Sequence, residues 1–204
     1  MSATVPWDFH PDLTESRLEE VAQLIAGGRD AAMEIYDPER GFNGWLLGCC
    51  AYQFGRFRIQ RAVEEGALPW LGLLRGTNHF IFQIGSVPVR FYRDDPDDPS
   101  EKVLRQSELE ARQLSLVLSG EEERDGLRFR LVVQTGIGGE LLRIVFLALR
   151  DGVTALVWNV PLRGDRVRAP IVAVSSASRD EGVALPAPSV TVRRRSAAAV
   201  RAGG

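Results

Sequence analysis

The side chains able to do chemistry gather in residues 75–98, RGTNHFIFQIGSVPVRFYRDDPDD. Arg75, Asn78, His79, Arg90, Tyr92 and Arg93 stand there beside Asp94, Asp95, Asp97 and Asp98. Carboxylates so closely spaced are the oxygen donors a hard cation takes. Their spacing is not that of a calcium-binding helix–loop–helix, because the later glycine and glutamate are missing. A solvated turn that stops the preceding strand is the simpler reading, and no metal or cofactor is expected. A strand carrying acids beside a basic residue also suits metal-dependent phosphodiester cleavage. Here the acids lie past the strand end and arginine stands where lysine would, which weighs against that chemistry.

Acid–base and nucleophilic chemistry have few candidates. The two histidines are His10 and His79. His79, next to Thr77 and Asn78 at the start of a strand, could serve as a general base or hydrogen-bond donor. A purely structural role is the more ordinary one for a lone histidine there. No serine sits in a nucleophile elbow. The adjacent Cys49 and Cys50 fall within an apolar helical pattern and are expected to be buried and inert. Gly136-Ile137-Gly138-Gly139 joins two strands and opens no helix, so it lacks the helix N-terminus that phosphate binding uses.

The remaining candidate is a face. If the sheet buries Phe80, Phe82, Val89, Phe91, Phe129, Leu131 and Ile144, alternation puts His79, Gln83, Arg90, Tyr92, Arg128, Arg130 and Arg143 on the other side. Arg75 and Asn78 complete the candidate binding set. Arginines interleaved with a tyrosine suit RNA, single-stranded DNA or an acidic protein. The same pattern is also that of an ordinary solvated face on a half-buried antiparallel sheet.

The elements that would carry this face read as follows. Trp7 and Phe9 are apolar anchors in an irregular start between Pro6 and Pro11, which would lie over the body of the domain. Leu18, Val21, Leu24, Ile25, Ala32 and Ile35 recur at helical spacing over 14–36. Asp12, Thr14 or Ser16 could cap it, Ser16 with Glu19 fitting a capping box, and Gly27-Gly28 predicts a kink or two shorter helices. Asp37-Pro38 ends that element. A second helix, over 43–65, has Asn43 as its N-cap and Gly66 as its stop. Residues 67–74 are a connector or a short edge strand. Phe80, Phe82 and Ile84, then Val87, Val89 and Phe91, alternate across Gly85-Ser86, which is a hairpin pattern. Pro88 would confine that strand to an edge or a bulge. A short helix over 107–118 and a charged loop over 121–126 precede three strands at 127–134, 141–149 and 153–160. Residues 167–176 could add one more strand, and beyond about 178 the chain reads as a flexible tail.

The expected fold is therefore α+β, with about five antiparallel strands, a hairpin plus a meander, and two N-terminal helices packed on one face. Residues 1–162 form a single domain and residues 163–204 a partly extended, mostly flexible C-terminal tail. A chain that is 45% hydrophobic and 25% charged is ordinary globular material, and its length suffices for a core without staples. Net charge of −2 argues against a generic polyanion binder but not against a local basic patch. Lys102 is the single lysine, so nearly all positive charge is arginine, the residue suited to planar carboxylate or phosphate recognition. Two neighbouring cysteines build no disulfide framework, there is no apolar run long enough to span a bilayer, and the start is not that of a signal peptide. A cytoplasmic location without membrane contact is expected.

The runs IGSVPVRFYRDDPDDP, RQSELEARQLSLVLSG and LRIVFLAL resemble a family of bacterial proteins encoded beside helix-turn-helix regulators or metallopeptidases. That arrangement is similar to toxin–antitoxin or phage-defence pairs, and the likeness spans about residues 42–162. It implies a partner-binding component of a two-gene regulatory or defence cassette, with the neighbouring gene product as protein partner. It brings no catalytic residues. The alternatives are nucleic-acid binding or processing through the arginine face, and an enzyme with Asn78 and His79 in its site.

Overall fold

The computed structural model describes residues 4–75, 80–100 and 127–163, with Arg75 described by its backbone alone. Asn78, His79, the helix expected over 107–118, the loop over 121–126, the strand over 167–176 and the C-terminal tail lie outside the described residues. Elements follow in the order α1 (Glu15–Glu34), α2 (Gly44–Glu64), β1 (Leu71–Arg75), β2 (Ile81–Ile84), β3 (Val87–Arg93), β4 (Leu127–Thr135), β5 (Leu141–Arg150) and β6 (Val153–Val160). Single 3₁₀ turns occur at Pro6–Asp8 and Pro38–Arg40.

Both helices start where their caps allow. Of the three candidates it is Thr14 that caps α1, its side chain accepting from Arg17 N–H. Asn43 Oδ1 accepts from Leu46 N–H at 2.9 Å and caps α2. α1 runs unbroken through Gly27-Gly28, contrary to the expected kink. The reason is packing: a Cβ on Gly28 would overlap the backbone of Gly55, so this glycine lets the two helices touch backbone to backbone. The tertiary contact outweighs the propensity penalty of about 1 kcal/mol.

The sheet has six strands in sequential order, β1-β2-β3-β4-β5-β6. The fold class is α+β as expected, but the sheet is mixed rather than five-stranded and antiparallel. Residues 71–75 form an edge strand, β1, paired antiparallel with β2. β3 pairs with β4 in parallel, Val89 opposite Phe129 through Arg93 opposite Val133. The alternating pattern of a strand does not encode its direction, and the connection over 94–126 exceeds the dozen or so residues a parallel crossover needs. β3 is thus interior, not an edge. Pro88 is tolerated because it pairs only with Gln83 of β2, one residue before β4 joins at Val89.

One core lies between the sheet and the helical pair. Leu18, Val21, Ile25 and Ile59 pack with Phe80, Phe82, Val89, Phe91, Phe129, Leu131, Ile144 and Phe146. The N-terminal segment lies against this body, with Trp7 edge-on to Trp158 and Phe9 edge-on to Phe129. No helix among the described residues is long and apolar enough to cross a membrane.

Candidate functional site

The arginine-bearing face exists, but it is not an open platform. Arg90 sits opposite Arg130 across β3 and β4, and Arg128 is two residues along the same strand. Tyr92 is opposite Val132. Next along the face is an apolar row, Val132 opposite Val145, and only beyond it does Arg143 face Gln134. Val132, Val145, Leu147 and Leu149 are fully buried, and Arg130 is only 3% exposed. The expectation of a solvated face therefore fails at its centre, because β4 and β5 bury both of their faces. Arg130 turns its Nη1 to the carbonyl of Phe129 at 3.2 Å. Arg90, Tyr92, Arg128 and Arg130 take part in further interactions.

Arg143 is committed to a polar corner. Its Nε donates to Gln134 Oε1 at 2.5 Å, its Nη1 to Asn159 Oδ1 at 3.2 Å and its Nη2 to Asp97 Oδ2 at 2.5 Å. Gln134 Nε2 donates in turn to Asp95 Oδ1 at 3.3 Å. Asp94 accepts from the backbone of Asp95 and Ser100, and Asp95 from that of Asp97. The acidic run is thus a self-bonded turn pinned over the end of β4 and β5. Among the described residues no group of three or more His, Cys, Asp and Glu side chains could hold a metal ion.

A second cluster, outside residues 75–98 except for the hairpin turn, has the composition of a catalytic triad. Ser86 Oγ lies 3.3 Å from His10 Nε2 and donates to Asp12 Oδ2 at 3.0 Å. Its polarity is wrong for nucleophilic catalysis. Asp12 N–H donates to His10 Nδ1 at 3.1 Å, so the ring proton resides on Nε2 and points toward Ser86. A general base would need a bare nitrogen there. The same Asp12 accepts from Ser86 N–H at 2.9 Å and from Arg17 Nη1 at 2.6 Å. Those donors, the Ser86 backbone first, pull its carboxyl down to about 2. The cluster is a latch that ties the N-terminal segment to the β2–β3 turn. Gly85 makes room for it, since a side chain there would overlap the Asp12 carboxylate and the residue has φ +61°.

Two further features were missed by the sequence reading. The first is Arg29, 3% exposed, on the buried stripe of α1. Its Nε donates to the Gly139 carbonyl at 2.7 Å, and Nη2 donates to the same oxygen. Gly139, at φ +86°, presents that carbonyl from the β4–β5 turn, and a Cβ there would lie 2.8 Å from Arg29 Nη2. Burial lowers the Arg29 pKa, with the nearby charge of Arg93 pushing the same way and Glu140 opposing. The legible signal was spacing: position 29 continues the series Leu18, Ala22, Ile25 and Ala32, all buried, so an arginine stood inside an apolar stripe.

The second is a groove of about 580 Å³ on the outer side of the helical pair, lined by Leu24 and Ala31 of α1 and Phe54, Phe57, Arg58 and Arg61 of α2, among others. Phe57 is 60% exposed on its wall. Arg61 is paired with Glu65 at 2.5 Å, one turn on. Comparison with protein-family models, curated proteins and solved structures finds nothing that matches the chain.

Proposed function

We propose that the chain is a partner-binding module that receives an acidic amphipathic helix of another protein in the α1–α2 groove. The observation that carries this reading is Phe57, a large aromatic side chain left 60% exposed in a groove beside Leu24 and Phe54. Apolar grooves between helices are a recurring receptor for amphipathic helices, and aromatic residues with flanking arginine dominate such interfaces. The charge of the rim selects the partner: Arg58 and Arg61 stand beside Phe57, with only Glu65 opposing. The resemblance of the sequence to cassette-encoded bacterial proteins supports the neighbouring gene product as that partner. Nucleic-acid binding on the arginine face has less support, since Arg130 is buried and Arg143 is held by Gln134, Asn159 and Asp97.

The test is a calorimetric titration of the full chain with the purified neighbouring gene product. Binding is expected, with Phe57→Ser weakening it at least tenfold, or about 1.4 kcal/mol. Arg58→Glu should weaken it as well and reduce its salt dependence. Absence of a complex, or a complex indifferent to both changes, overturns the proposal.

A further inference from the structure

Arg29 poses a problem that the rest of the fold does not resolve. A buried guanidinium is normally matched by a carboxylate or by acceptors for all of its donors. Among the described residues Arg29 has no salt-bridge partner within contact distance, and its Nε and Nη2 share one acceptor, the Gly139 carbonyl. Arg29 lines a cleft whose other walls are Ile25, Gly48, Ala51, Tyr52, Phe91, Tyr92, Arg93 and Val133. A second cation, Arg93, is therefore on the same cleft and close enough to act electrostatically on the first. Among the described residues Glu140 is the acid that acts on Arg29, and it offsets only one of the two charges.

The position adds a second argument. The cleft lies where the parallel pairing of β3 with β4 ends, at Arg93 and Val133. The walls supplied by Ile25, Ala51, Phe91 and Val133 are apolar, which strengthens any charge interaction made between them. The cavity is small, about 30 Å³, so it takes the head group of a ligand whose body remains outside. A planar carboxylate is a natural partner for guanidinium groups.

We propose that this cleft is a carboxylate-binding site, in which Arg29 and Arg93 hold the anion against the apolar wall of α2 and β3. The carboxylate comes either from a small organic acid or from an acidic side chain of a peptide. The site is separate from the Phe57 groove and does not depend on it.

The experiment is a titration of the isotope-labelled full chain at fixed ionic strength, following the Arg29 Nε–H resonance. Sodium acetate is one probe, N-acetyl-glutamate amide a second, and sodium chloride the control. A saturable shift with acetate assigns a free carboxylate ligand; tighter saturation with the blocked glutamate, at least tenfold, assigns a peptide source. Arg93→Gln, at an exposed position, should weaken either by at least tenfold, and Arg29→Gln, followed through the Arg93 backbone amide, should abolish it. If Arg29→Gln does not fold, Arg93→Gln alone decides. Failure of both carboxylates to shift Arg29, an equal response to chloride, or an unchanged affinity in Arg93→Gln overturns the proposal. Phe57→Ser should leave the titration unchanged.

Discussion

At the scale of single residues, the informative side chains are those whose surroundings conflict with their type. Arg29 and Arg130 are charged and buried, and neither could be recognised from composition. Arg29 could be recognised from periodicity, whereas Arg130 could not, because an arginine alternating with Phe129 and Leu131 reads as solvent-facing until the second face proves to be buried. Asp12 shows the opposite case, an acid whose role depends entirely on contacts with a turn far along the chain. Its folded pKa of about 2 lies below the ordinary value of 3.8. The stabilisation is therefore complete above the unfolded value and is lost as pH falls through the folded one. Urea unfolding should show Asp12→Asn less stable than the parent by roughly 1–2 kcal/mol at pH 6, allowing for partial solvent screening. That gap should close between about pH 4 and pH 2; a gap independent of pH would mean that the carboxylate charge does not hold the latch.

At the scale of elements, helix and strand positions were legible because each carries its own period, and caps such as Asn43 fell where expected. Strand direction was not legible. Hairpin and crossover place the same alternating residues on the same face, so the parallel β3–β4 pair became apparent only in the register. The Gly27-Gly28 pair misled for a related reason: propensity is local, and the contact with Gly55 is not. The two glycines should behave very differently. Gly28→Ala forces the helices apart and should destabilise by about 1–3 kcal/mol, as overpacking does. Gly27→Ala meets only the end of the flexible Arg58 side chain, at 3.3 Å, and should be neutral or stabilising by up to about 1 kcal/mol. Chemical denaturation of the two variants side by side distinguishes them, and equal effects would refute the close-approach argument.

At the scale of the whole molecule, the sheet is the frame and its middle is the most protected part. β4 and β5 bury residues on both faces, whereas β1 and β6 are edges. Amide hydrogen exchange should accordingly be slowest for residues 130–133 and 144–148, which open only with global unfolding, and faster by orders of magnitude in β1 and β6. Protection spread evenly over the six strands would contradict that picture. The candidate site was less legible than the fold. Residues 75–98 supply an acidic turn, the strands β2 and β3 and the latch serine. The groove belongs to the helices, where apolar spacing signals only packing, and the buried arginine shows there as one charge inside an apolar stripe. Arg29 also carries a consequence for biogenesis. Its acceptor, the Gly139 carbonyl, lies 110 residues downstream. At ribosomal rates of about 5–20 residues per second, that turn is synthesised roughly 5–20 s after the arginine. The helix pair is thus made first, and Arg29 gains its acceptor only once the β4–β5 turn has been synthesised.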